Sequence, residues 1–190
     1  MNYVLNDKYV DINGLYNSFR KSGFKLDLGC GYYKPEGFIG LDNLAGKDSQ
    51  IPSADNSPDI LINLETETLP FPDNSVDEIR SSHFLEHSNL MHIFNESFRV
   101  LKPGHIFLFA VPYANSAEGM YPGHSIFLTE KWFYNNLVFQ KYFTIVKEEY
   151  KPSEYYLSLP YLFRIFLPFS FARKFLFNAC CEMTFTCLKK

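Results

Sequence analysis

At 190 residues and 22.1 kDa the chain is one domain's worth of material, long enough to bury a layered core. Hydrophobic residues at 46% and charged residues at 21% exclude a disordered or fibrous chain, and a net charge of -3 with no basic stripe argues against a nucleic-acid partner. The charge is uneven, however: residues 1–95 hold 7 Lys/Arg against 14 Asp/Glu, and residues 96–190 hold 11 against 7. Aromatic residues are in surplus, with 20 Phe, 13 Tyr and 1 Trp making up 18% of the chain.

In chain order, Phe24–Leu28, Phe38–Leu41 and Asp59–Leu64 are short apolar runs that predict strands. The stretch from Pro70 to Ser75 is turn chemistry, and Val76–Ser82 predicts a fourth strand. Leu90, Ile93, Phe94, Phe98 and Leu101 follow helical spacing until Lys102-Pro103-Gly104 ends the helix. Ile106–Val111 is almost wholly apolar, as in a strand covered on both faces. Thr129–Gln140 predicts a helix capped by Thr129, with Trp132, Phe133 and Leu137 buried. Tyr142–Val146 and Glu182–Leu188 predict two closing strands. Strands separated by helices imply a doubly wound α/β sheet.

Four cysteines, Cys30, Cys180, Cys181 and Cys187, show no C-x-x-C spacing, and the N-terminus has no secretory pattern. A reduced, cytoplasmic setting is expected. Leu26-Asp27-Leu28-Gly29-Cys30-Gly31 places two glycines where a strand ends, so that the backbone can turn sharply and a ligand can come close. A dinucleotide fold would need glycine where Lys34 stands, and an acid about 20 residues on, whereas Asp42 lies much nearer. No P-loop sequence is present.

These residues resemble the first motif of the small, type 11-like class I S-adenosylmethionine-dependent methyltransferases. Phe38-Ile39-Gly40-Leu41-Asp42 is similar to that family's second strand, and Leu69 to Ile79 is similar to the approach to its fourth strand. His83-Phe84-Leu85-Glu86-His87 and Phe98 to Gly104 follow in family order. The resemblance implies a single methyltransferase domain over 1–190. Its fold is Rossmann-like: a mostly parallel seven-stranded sheet with an antiparallel C-terminal strand and helices on both faces. It also implies S-adenosylmethionine as cofactor. Asp42 would hold the ribose hydroxyls, and the amides of Gly29, Cys30 and Gly31 would meet the methionyl carboxylate. Asp27 would hold the loop or receive the ammonium group. Asn63, where the family often has Asp, and the Leu64 amide would face the adenine, with Ser82 beside the cofactor. Lys34 and Glu36 read as solvated.

The sulfonium methyl is already activated, so the protein mainly aligns an acceptor, and a base is needed only if that acceptor must lose a proton. His124 and His83 are the candidate bases, each set against a purely structural role. The expected acceptor is a small molecule or glycan. The alternatives are a catalytically silent cofactor- or partner-binding module and, more remotely, a zinc peptidase. The last arises because His83-x-x-Glu86-His87 matches an H-x-x-E-H motif, which on a helix would pair His83 and His87 and need a further carboxylate such as Glu154. The methyltransferase pattern already accounts for those five residues, so no metal is expected.

Residues 150–177 contain ten aromatics, interrupted by Pro160 and Pro168, and their charge-free runs fall far short of a membrane span. A helical cover over 150–181, packed on the sheet before the last strand, is the expected arrangement. A lid, a homodimer surface or a peripheral membrane contact through 150–177 are the functional readings.

Overall fold

The computed structural model describes residues 23–43 and 58–190 with their side chains, and the backbone strands β1 (Asn2–Leu5) and β2 (Lys8–Asp11). These two strands pair antiparallel, with Asn2 opposite Asp11. The main sheet is built from β3 (Lys25–Leu28), β4 (Ile39–Asp42), β5 (Ile60–Leu61), β6 (Val76–Ser82), β7 (Leu101–Pro112), β8 (Phe143–Pro152) and β9 (Cys180–Lys189). Its order is β5-β4-β3-β6-β7-β9-β8. The first five positions run parallel, and β9 lies antiparallel between β7 and β8. This is the Rossmann-like methyltransferase fold that the sequence implied.

Strand order reverses direction between β3 and β6, which are neighbours in space with Leu28 opposite Ser81. In open α/β sheets ligands bind beyond the carboxyl ends of the strands at such a reversal.

Several elements depart from expectation for local reasons. β5 keeps only two residues because Asn63 closes a turn: its side chain accepts from the Glu65 amide and its carbonyl from the Thr66 and Glu67 amides. Helix α1 (Leu90–Val100), capped by Asn89 onto the His92 amide, stops one residue before Leu101, which pairs with Val76 and starts β7. The helix expected over 129–140 is two, α2 (Glu130–Asn135) and α3 (Leu137–Tyr142), broken where the Asn136 side chain caps the Phe139 amide. That break turns Leu137 out, 82% exposed, and Phe139 is buried in its stead. Thr129 makes no side-chain cap. The closing strands are longer than expected, each running ten residues.

Much of the aromatic surplus is core. The Phe94 ring contacts those of Phe107, Phe109, Phe133, Phe139 and Phe143 at centroid separations of 5.0–6.5 Å. Such pairs add about 0.5–1.5 kcal/mol each beyond their burial. Phe185, on β9, joins the cluster through Phe109 and Phe133.

Between β8 and β9 the chain forms α4 (Glu154–Ser158), α5 (Tyr161–Phe166) and α6 (Phe169–Phe175). A small cluster of Tyr156, Ala172 and Ala179 anchors them, yet α5 buries no residue at all. The packed cover expected here is therefore only partly packed. Pro160 and Pro168 break the segment into helices too short to turn one face continuously inward. Among the described residues no helix is long and apolar enough to cross a membrane.

Candidate functional site

A cavity of about 330 Å³ opens at the strand reversal, lined by Asp27, Gly29, Cys30, Gly31, Tyr33, Arg80, Ser82 and His83. Local packing explains why the wall takes this form. Gly29 has φ +67°, and a Cβ there would lie 2.1 Å from the Phe84 ring, so only glycine lets the ends of β3 and β6 close on each other. Gly31 has φ +51°, and among the described residues a Cβ there would meet nothing within 4 Å. It borders open space.

Asp27 is buried and paired with Arg80, whose Nη1 lies 3.0 Å from both carboxylate oxygens. Burial raises the Asp27 carboxyl to about 6, against the opposing pull of Arg80. Burial, followed by the nearby Asp42 and Asp27 charges, pushes the Cys30 thiol up to about 12, so it stays protonated and is no nucleophile. Asp42 is buried at the end of β4, and its Oδ2 accepts from the Gly31 amide at 2.8 Å.

The loop amides do not face the cavity as expected. Gly29 N–H donates to the Leu41 carbonyl at 2.9 Å, Cys30 N–H to the same oxygen at 3.3 Å, and Gly31 N–H to Asp42. The short link to β4 forces this, since the loop must close directly on its neighbouring strand. Lys34 is not solvated either: its Nζ meets Asp59 at 2.6 Å, and Asp59 also accepts from the Gly40 amide. Asn63 is exposed and spends its side-chain oxygen on the Glu65 amide, while Leu64 is buried. Neither lines the cavity.

His83 follows β6 with φ +53°, unusual for a non-glycine residue, held by its amide on the Ala110 carbonyl at 3.0 Å. Its Nε2–H donates to Glu182 Oε2 at 2.7 Å, and Nδ1 lies 3.6 Å from Glu86 Oε1. The Glu182 hydrogen bond, then Glu86, raise the His83 imidazole to about 9, so it is a cation at neutral pH and a donor rather than a base. The H-x-x-E-H stretch is not an α-helix: Leu85–His87 is a single 3₁₀ turn. His83 and His87 therefore do not share a helix face, and Glu154 is exposed on α4 with no part in the cluster. The peptidase geometry is absent from these residues.

His124 is half-buried in the loop after β7, with Nδ1 on the Gly119 carbonyl at 3.1 Å and Nε2 4.0 Å from Glu86 Oε1. The structure thus brings Asp27, Gly29, Cys30, Gly31, Ser82 and His83 to one cavity, with Asp42 behind the loop and His124 beyond Glu86. Sequence reasoning missed Arg80, Tyr33 and Glu182, and placed Glu86 only in the H-x-x-E-H motif. Arg80 had a signal in strand alternation, two residues before Ser82 on the same face. Glu182, 99 residues from His83, had none.

Residues 26–109 match a family model described as a methyltransferase domain. No curated protein matches the chain in sequence. Among solved structures, the chain is similar to a SAM-dependent methyltransferase from Archaeoglobus fulgidus, with TM-score 0.65, 16% identity and 95% of each chain covered. It is also similar to a 16S rRNA (adenine(1408)-N(1))-methyltransferase from Catenulisporales acidiphilia, with TM-score 0.60, 12% identity, and 100% of this chain and 96% of that one covered. A third, geranyl diphosphate C-methyltransferase from Streptomyces coelicolor A3(2), aligns with TM-score 0.58, 12% identity, and 88% and 72% coverage. Their acceptors differ, so the shared fold leaves the acceptor open.

Proposed function

We propose that the chain is a class I S-adenosylmethionine-dependent methyltransferase, a reading supported by the match of residues 26–109 to a methyltransferase-domain model and by the shared fold, and that it methylates a small-molecule or glycan-type acceptor presented at the His83 end of the cavity. The observation that carries the reading is the Asp27–Arg80 pair in the cavity wall. An α-amino acid end is a zwitterion, and a buried carboxylate beside a guanidinium with further N–H donors is its complement. Arg80 takes the carboxylate role that the loop amides, already bonded, do not fill. Asp27 receives the ammonium group. Asp42, fixed by the Gly31 amide, holds the ribose hydroxyls, and the open space over Gly31 admits the ligand past a bare backbone. Ser82, in the cavity wall, is assigned to the methionyl side; Asn63 and Leu64 lie outside that wall, and no contact with the adenine is assigned to them.

When bound, S-adenosylmethionine supplies an activated methyl on a sulfonium. The protein's task is then alignment and exclusion of water. His83, held between Glu182 and Glu86, places its positive charge at the acceptor end of the cavity. His124 keeps its Nε2 lone pair, because its Nδ1 is turned to a carbonyl. That lone pair can take the acceptor's proton or ligate a cation that acidifies the acceptor, and the surroundings of Glu86 favour the second. The test is calorimetry of the full chain with S-adenosylmethionine, with NAD as control. Asp42→Ala weakens S-adenosylmethionine binding about 10- to 100-fold, the loss of charged hydrogen bonds to two hydroxyls. Unchanged affinity would overturn the assignment.

A further inference from the structure

Glu86 is 2% exposed, and among the described residues neither carboxylate oxygen has a hydrogen-bond partner. His83 Nδ1 lies 3.6 Å and His124 Nε2 4.0 Å from Glu86 Oε1, both beyond hydrogen-bond length. The cationic His83 ring faces one oxygen without reaching hydrogen-bond distance, so the buried carboxylate is incompletely satisfied, and a bound cation would complete it.

Two histidines are prepared for such a cation. His87 Nδ1 lies 2.9 Å from the Gly123 carbonyl, and His124 Nδ1 lies 3.1 Å from the Gly119 carbonyl. A carbonyl oxygen only accepts, so each neutral ring carries its proton on Nδ1 and keeps a lone pair on Nε2. Metal-bound histidines are oriented in the same way, through the ring nitrogen they do not use for the metal. One donor atom from each of Glu86, His87 and His124 lies within 4.8 Å of the others. Two ligands on one tetrahedral ion stand about 3.3 Å apart given metal–nitrogen bonds of about 2.0–2.1 Å, so small side-chain rotations close the set.

The backbone fixes this arrangement. Ser125 and Ile126 amides donate to the Glu86 carbonyl at 3.0 and 3.1 Å, which ties the His124 loop to the 3₁₀ turn. At Gly119 a Cβ would come within 2.1 Å of the Tyr113 carbonyl oxygen, so glycine there lets the chain pack close and hold the carbonyl that orients His124.

We propose that Glu86, His87 and His124 bind a divalent transition-metal ion of the zinc class, leaving coordination positions open. Three protein ligands and an open position are the pattern of a reactive rather than a purely structural metal site. Mixed imidazole and carboxylate donors suit zinc or its first-row neighbours and disfavour calcium. His83 is not a ligand: its Nε2 is engaged by Glu182. His83 lines the cavity and its Nδ1 lies 3.6 Å from Glu86, so the proposed site adjoins the cavity, and a metal held there would acidify an acceptor oxygen that reached it. This last role rests on the methyltransferase reading. The metal site itself does not.

The test uses the full chain, stripped with chelator and desalted, then titrated with Zn²⁺ or Co²⁺ alone, without cofactor. The expected result is one equivalent bound, with Co²⁺ ligand-field bands and no thiolate charge-transfer band. Glu86→Gln and His87→Asn weaken binding more than about tenfold, as ligand loss must at least match the 10- to 100-fold effect of outer partners. Cys181→Ser leaves binding unchanged. His87 is exposed, so its variant tests the site even if Glu86→Gln fails to fold. Absence of stoichiometric metal, wild-type affinity in His87→Asn, or a thiolate band overturns the proposal. Because no cofactor is present, failure here leaves the S-adenosylmethionine reading untouched, and failure of Asp42→Ala to weaken cofactor binding leaves the metal site untouched.

Discussion

The sheet half of the molecule, residues 24–112, and the arm between β8 and β9 are both rich in large apolar side chains, and they treat them in opposite ways. In the sheet, Phe94, Phe107 and Phe109 are fully buried. In the arm, Tyr161, Leu162, Phe163, Ile165 and Phe166 stand exposed on one six-residue helix. The difference lies in what each segment is continuous with. Residues of β6, β7 and α1 alternate or repeat against a sheet that covers them on more than one side. The arm has proline at each break, and it is held by the small cluster of Tyr156, Ala172 and Ala179, by Phe169 and by the Arg173–Glu130 pair, none of which covers α5. An exposed apolar surface of that kind is unusual on a protein that meets only water.

The strongest way to break this comparison is to make the same change in both regions. Phe94→Ala is expected to cost about 3–5 kcal/mol in urea unfolding, the usual cost of emptying a buried aromatic site. Phe166→Ala, at a residue 82% exposed, is expected to change stability by less than about 0.5 kcal/mol. If Phe166→Ala destabilises by well over that, the arm is covered in solution by another copy of the chain.

Within the sheet half, the cavity wall should behave unlike the core around it. Arg80→Met leaves Asp27 buried without its partner and is expected to lose about 3 kcal/mol at neutral pH. Adding Asp27→Asn removes the stranded charge and recovers most of that stability, but not S-adenosylmethionine affinity. Recovery of both would mean that the pair is structural only.

pH separates stability from binding at the same residue. Asp27 titrates at about 6 when folded, above its ordinary 3.8, so the folded state holds that proton more tightly than the unfolded one. Its contribution to stability is therefore fullest below about pH 4 and declines as pH rises toward 6. Cofactor binding needs the carboxylate ionised and so moves the other way. S-adenosylmethionine should bind roughly tenfold more weakly at pH 5 than at pH 8, while the Asp27 contribution to stability is larger at the lower pH. Parallel movement of the two would remove Asp27 from the ammonium role.

The sheet half was legible in sequence to the degree that its signals were local. Val76–Ser82 was bounded correctly because Ile79 to Ser82 alternate and Asn74, at φ +54°, starts it with a turn, although a register shift between Val76 and Glu78 interrupts the alternation. The strand reversal and the glycine wall followed from five motifs in order. What was not legible depends on distant partners. The direction of the Gly29–Gly31 amides was set by Leu41 and Asp42 on the next strand. The charge on His83 was set by Glu182 on the last one. Glu86 was visible inside H-x-x-E-H, but that it lies buried beside His124 required a loop 38 residues on to fold back over it. The arm was opaque for the opposite reason: it has composition without a periodicity strong enough to say which side faces in.

The smallest effect tests what the arm meets. The chain's second half is net basic, and α5 and α6 carry Arg164 and Lys174 beside exposed aromatics, a combination suited to an anionic lipid surface. Full burial of a phenylalanine is worth about 1.5–3 kcal/mol, and partial insertion at an interface about 1 kcal/mol. Phe166→Ser should therefore reduce co-sedimentation with anionic vesicles roughly fivefold, with no change in melting temperature, because the residue supports nothing in the fold. Raising the salt should weaken binding of wild type and variant together, since the basic side chains remain in both. If partitioning is instead unchanged and Phe166→Ser converts a dimer to monomer, the exposed face is a joint between copies of the chain. The sheet half would then differ from the arm in which chain covers its aromatics, and not in whether they are covered.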